Sequence, residues 1–251
     1  MKRAGCVAVA VLSTAALAYV MPGYSILKHL AETRDGLQLF TLRVDGSATF
    51  SGAGLKDVGP VLGLPTDRPE LQADATLYLK LPRRCRMELS SVEGGKQVAA
   101  VTSAGKKRFE GSDLASVDLL LQEVCALLAE RSASEGESRA AVERHLQHLG
   151  VKEDVTWLAR FGGQGQVAFV LGEQGDGKAQ LWVYKDSFEP ARLRFVDAQG
   201  AAWDLRLLDY GSPATGEWFP RTVELYKAGE LQVRFTALKA DARGSLSDKL
   251  F

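Results

Sequence analysis

Cysteine and histidine are scarce in this chain. Its 251 residues include 3 Cys and 3 His. So few cysteines exclude a scaffold held by many disulfides, and the chain is long enough to build a core without one. Net charge is lacking too, since Lys+Arg and Asp+Glu both number 31. Without a cationic field, long nucleic acid has no electrostatic reason to bind. The basic clusters Pro82-Arg83-Arg84-Cys85-Arg86 and Lys106-Lys107-Arg108 read as solvated strand ends rather than phosphate sites. No apolar run reaches the roughly 20 residues of a comfortable membrane span.

Catalytic signatures are equally sparse. No Gly-x-Ser-x-Gly elbow occurs. Gly172 to Lys178 matches the start of a phosphate loop, but Ala179 stands where the magnesium-binding hydroxyl belongs and a strand follows instead of a helix. That segment reads as a hairpin turn. His145 and His148 share a helix face near Glu143, but no third metal ligand is evident. His29 stands alone, and Glu153-Asp154 point apart. The residues therefore predict no catalytic site, no metal and no cofactor.

The N-terminus carries a clear pattern. Lys2 and Arg3 precede an apolar stretch, Ala4 to Ala18, closed by the small-x-small triplet Ala16-Leu17-Ala18. This reads as a secretory signal over residues 1–18, with an uncleaved inner-membrane anchor as the minor alternative. Cys6 precedes the apolar region, so it is not a lipidation site. Cleavage leaves Cys85 and Cys125. In an oxidising compartment the two either bridge or stay as separate buried thiols.

Two hydrophobic periods divide the remainder. Residues 25–35 suit a short helix with Ile26, Leu27, Leu30 and Ala31 on one stripe. From Leu42 to Ser51 the alternation keeps phase through Asp45-Gly46, which predicts one long strand with a glycine kink rather than a hairpin. Residues 52–70, rich in Gly and Pro, read as a long loop. Strands follow at 74–81 and 84–89, with weaker ones at 97–102 and 107–110. The period then turns helical over 112–131, with Ser112 or Asp113 as cap. Ser134 and Glu137 form a capping box for a second helix that ends at Gly150, and Trp157 lies in a short segment read as a third helix. An antiparallel meander closes the chain at 164–171, 179–185, 191–197, 202–210, 220–227 and 230–239, since its turns are too short for parallel crossovers. The fold class is α+β: one curved antiparallel sheet, an unclosed half-barrel, with helices covering its concave face.

At this point the pattern resembles a known family. Leu181-Trp-Val-Tyr-Lys-Asp-Ser-Phe-Glu-Pro190 with Ala191-Arg-Leu-Arg-Phe195 is similar to the second-half signature of the LolA/LolB-like lipoprotein-carrier superfamily. So are Trp218-Phe-Pro-Arg-Thr-Val-Glu-Leu-Tyr226, the closing Leu246-Ser-Asp-Lys-Leu-Phe251, and the early helix leading into Leu42 to Phe50. The resemblance covers roughly residues 25–251 as a single domain, with a helical insert at about 111–160. It implies an apolar cavity gated by helices and a periplasmic protein of carrier or chaperone type. The implied partners are a lipid or acylated lipoprotein and envelope membrane proteins. The carriers' cavity arginine has Arg43 and Arg86 as candidates by position, but alternation turns both outward, which favours lipid binding over lipoprotein transport itself.

The expected cavity wall comprises Leu42, Val44, Phe50, Leu77, Leu79, Met87 and Leu89 in the first half. The second half adds Phe169, Leu181, Val183, Leu193, Phe195, Leu205, Val223, Leu225, Val233 and Phe235. Leu114, Val117, Leu121, Val124 and Leu128 form the expected lid, a helix that serves as lid, plug or core. The competing reading is an envelope scaffold or sensor whose half-barrel is filled.

Overall fold

Alternating segments become strands and 3.6-period segments become helices in the computed structural model. It describes residues 20–91, 97–103, 106–109, 114–130, 135–163 and 165–251, with backbone alone at 97–103, 106–109 and 135. In chain order the first half holds α1 (Gly23–Gly36), β1 (Thr41–Ser51), α2 (Gly52–Leu62), β2 (Glu70–Lys80), β3 (Arg84–Ser90), β4 (Gln97–Ser103) and β5 (Lys106–Phe109). Two helices follow, α3 (Ala115–Leu128) and α4 (Glu135–His148). The second half is β6 (Thr156–Phe161), β7 (Gln166–Leu171), β8 (Gln180–Tyr184), β9 (Pro190–Val196), β10 (Ala202–Leu208), β11 (Thr222–Lys227) and β12 (Glu230–Asp241).

The strands form one 12-stranded sheet in the order β5-β4-β3-β2-β1-β12-β11-β10-β9-β8-β7-β6. Among the described residues every pairing is antiparallel, and the terminal strands β5 and β6 do not pair with each other, so the half-barrel stays open there. β1 and β12 are the seam that joins the two meanders. β1 runs unbroken through Asp45-Gly46, where its register with β12 shifts. Gly46 is required there, because a Cβ would lie 2.3 Å from the Thr236 carbonyl oxygen. Strand β2 shows strict alternation, with Leu71, Ala73, Ala75, Leu77 and Leu79 all buried. Pro190 opens β9, where a missing amide donor costs least.

Two expectations are corrected. Residues 52–62 form α2, not a loop, with Leu55, Val58 and Leu62 buried on its inner stripe. Its glycines serve close packing, since a Cβ on Gly54 would meet the Gln232 carbonyl oxygen at 2.4 Å. Trp157 lies in strand β6, not in a helix, and pairs with Val170 of β7. Its segment shows no clean alternation because both faces of β6 pack on apolar neighbours: Leu158 on the main core, Trp157, Ala159 and Phe161 on a second cluster. The signal segment, Ser112, Asp113 and Ser134 lie outside the described residues. α3 starts after Leu114, which makes no side-chain capping bond.

Candidate functional site

One continuous apolar cluster fills the concave face. All of the expected wall residues belong to it, from Leu42 and Val44 through Phe50, Leu77, Leu79, Met87 and Leu89 to Val233 and Phe235, and none exceeds 4% exposure. The five expected lid residues Leu114, Val117, Leu121, Val124 and Leu128 lie in the same cluster. The residues expected as wall and as lid thus share one core, with α3 packed into it. α3 packs on β3, β4 and β12, and against α2 and α4. Phe219, which the sequence reading left out, joins the wall edge-on to Phe235 with ring centroids 6.1 Å apart.

Several polar ties hold the C-terminal part of α3. Cys125 bridges to Cys85 of β3 with a Cα–Cα distance of 5.9 Å. The Nη2 of Arg34 in α1 donates to the Leu128 carbonyl at 3.0 Å, and the backbone amide of Arg83 donates to the Ala129 carbonyl at 2.9 Å. These donors satisfy carbonyls that a helix end leaves open. Arg83 Nε pairs with Glu130 Oε2 at 2.8 Å, and His145 Nε2 of α4 lies 2.7 Å from Glu123 Oε2. At the other end, Leu114, Val117, Leu120 and Leu121 are buried to 1% exposure or less among apolar neighbours, and Asp118, 5% exposed, has a partner as well.

Burial lowers the pKa of the Arg34 guanidinium, against the pull of Tyr210, Glu189 and Asp35. Burial raises the Glu130 carboxyl, which Arg83, Arg144 and His145 draw back down. His145 is committed to Glu123, and among the described residues no group of three or more His, Cys, Asp or Glu is placed to hold a metal ion.

The opposite face of the sheet carries charge ladders and a second aromatic cluster. Arg43 pairs with Asp45 and Arg86 with Glu88, both on the outer face as alternation required. Asp204 takes Arg192 and Arg206 together. Trp157, Phe161, Trp182, Tyr184 and Tyr210 pack around Ala168, Val170 and Ala191, with the Arg192 guanidinium over Trp182 at 5.2 Å.

Sequence reasoning missed Arg34, Glu123 and His145 as anchors of α3. A signal for Arg34 was present. It falls on the same stripe as Leu27, Leu30 and Ala31, and a charged residue on a buried stripe needs a partner.

No protein-family profile matches the chain, and no curated protein is found similar to it. Solved structures with a similar course do exist. A LolA superfamily protein, NE2245 from Nitrosomonas europaea, aligns with 13% identity and a TM-score of 0.47 over 92% of this chain and 98% of its own. A putative outer membrane lipoprotein-sorting protein domain from Vibrio parahaemolyticus aligns with 13% identity and a TM-score of 0.45 over 90% of this chain and 94% of its own. The Pseudomonas aeruginosa MucA/MucB complex contains a chain with 11% identity and a TM-score of 0.29, over 91% of this chain and 59% of that one.

Proposed function

We propose that this chain is a periplasmic, non-enzymatic binding protein for acyl chains of lipids or acylated lipoproteins. In this reading α3 closes the apolar face and its N-terminal half undocks to admit the ligand. The observation that supports the reading is the continuous apolar face of the half-barrel, on which α3 packs with Leu114, Val117, Leu121, Val124 and Leu128 while Cys125 bridges it to β3. An oxidising compartment fits the Cys85–Cys125 bridge. Among the described residues no helix is long and apolar enough to cross a membrane.

The magnitudes suit a carrier. Exposing Leu114, Val117, Leu120 and Leu121 costs about 6–12 kcal/mol, at about 1.5–3 kcal/mol for each side chain. Burying an acyl chain of about 16 methylenes gains about 13 kcal/mol, at about 0.8 kcal/mol for each. The two nearly cancel, so the bound chain stays releasable. Without a flap to displace, the same chain would bind too tightly to hand over, even after association costs.

A second reading is favoured by the complete filling of the face, in which Phe50, Met87 and Phe235 are fully buried. There the half-barrel is an envelope scaffold, α3 is permanent core and the protein acts through its outer surface. Native mass spectrometry of the protein extracted from cells separates the two. Co-purifying lipid is the result expected of the binding protein. A ligand-free protein that also refuses fatty-acid probes overturns that reading in favour of the scaffold.

A further inference from the structure

A cavity of about 980 Å³ opens at one end of the second meander, away from the concave face. The C-terminal part of α1 and the turns after β6, β8 and β10 surround it. None of the apolar wall residues named above lines it. Four carboxylates do: Asp186, Glu189, Asp209 and Glu217, against one cation, Arg221. Tyr184 and Tyr210 complete the wall, in edge-to-face contact with each other.

The charges in this cavity are treated unlike those elsewhere. On the outer face Asp204 holds two arginines, Glu224 holds Arg234, and in the turn after β7 Glu173 holds two lysines. Among the described residues, none of the four cavity carboxylates has a basic side chain within ion-pair distance. Glu189 is the sharpest case. It is 7% exposed, and no cation among the described residues pairs with it. Arg34 is the cation whose field reaches it, but the Nη atoms of Arg34 are committed to the carbonyls of Leu128 and Trp218. Burial raises the Glu189 carboxyl, a cost that a ligand cation would relieve. The phenol groups of Tyr184 and Tyr210 donate to the carbonyls of Leu207 and Pro190, so the walls offer a ligand aromatic rings and carboxylates. Rings and carboxylates together recognise organic ammonium groups.

We propose that this cavity is a binding site for a linear organic polycation, a di- or polyamine, with Glu189 as the buried anchor and Asp186, Asp209 and Glu217 as the mouth. A single ammonium would satisfy one carboxylate. The four, spread over the β8–β9 and β10–β11 turns and exceeding Arg221 in number, match several amino groups along a flexible chain. The volume falls in the range of small-molecule sites. The proposal does not depend on acyl-chain binding, since the two sites share no wall residue.

Isothermal titration of the secreted full chain with spermidine at low salt tests it. One saturable site is expected, weakening as salt rises. Glu189→Gln should weaken binding on the order of tenfold, the loss of one charge-assisted contact. The exposed Glu217→Gln should weaken it less, and Arg221→Gln should tighten it. Thermal unfolding of each variant checks that it is folded. Absence of saturable binding overturns the proposal, as does binding that ignores both Glu189→Gln and Glu217→Gln in folded protein. Capture of a lysine-rich peptide without affinity for spermidine also overturns it, assigning the cavity to a polypeptide partner. Retention of lipid by all three variants would leave the acyl-chain reading standing whichever way the titration falls.

Discussion

Leu121→Ala separates a flap from a core helix by the sign of its effects. Leu121 is fully buried near the middle of α3, on the N-terminal side of the residues that pin the helix. Truncating such a leucine costs about 2–5 kcal/mol of folding stability. If the N-terminal half of α3 must leave the sheet before an acyl chain enters, the same loss makes opening easier. The competent state gains population, and apparent affinity rises with it. A gain of about 2 kcal/mol corresponds to roughly 30-fold tighter binding. Leu77→Ala, on the sheet side of the same core, should cost similar stability without raising affinity. The assay pairs urea unfolding with displacement of a fluorescent fatty acid. Stability down and affinity up for Leu121→Ala, with stability down alone for Leu77→Ala, is the expected result. Affinity that stays level or falls in Leu121→Ala would refute the hinged flap.

Three further outcomes are expected. Replacing Cys85 and Cys125 together by Ala should cost about 4 kcal/mol by loop-closure entropy for a sequence separation of 40, read from denaturant midpoints of oxidised wild type and variant. Arg34→Met removes the donor to the Leu128 and Trp218 carbonyls and should destabilise by about 1–3 kcal/mol, with exchange of α3 amides near Leu128 speeding first. Glu189→Gln should raise the melting temperature at pH 7.5 and leave it nearly unchanged at pH 4. The Glu189 carboxyl is held above its ordinary range by burial, so the folded state binds more protons than the unfolded one between the two values. Stability therefore falls as pH rises through that window, and a neutral amide removes the loss. Equal shifts at both pH values would contradict this.

Period-2 alternation made β1, β2 and most of the second meander legible, because one face of each of these strands meets the core and the other meets water. It failed for β6, where Trp157 and Phe161 on one side and Leu158 on the other all find apolar neighbours. It failed for α2 because Gly54, Gly59 and Pro60 read as loop composition. In the fold Gly54 and Gly59 permit close approach, the latter to the Thr66 side chain at 2.5 Å from an added Cβ. The apolar wall was readable residue by residue. What fills it was not, since whether α3 sits in the sheet or above it depends on packing across the molecule. The anchors of α3 were hidden for a similar reason: Arg34 reaches Leu128 across 94 positions. The acidic cavity draws its carboxylates from the β8–β9 and β10–β11 turns, which neighbour each other only once the strands have paired.

Hydrogen exchange along α3, with and without a saturating fatty acid, tests the central claim most directly. The account predicts faster exchange at Val117 to Leu121 when lipid is bound, while amides around Cys125 and Leu128 and those of β3 stay protected. Unchanged protection along the whole helix in the presence of bound lipid would contradict it.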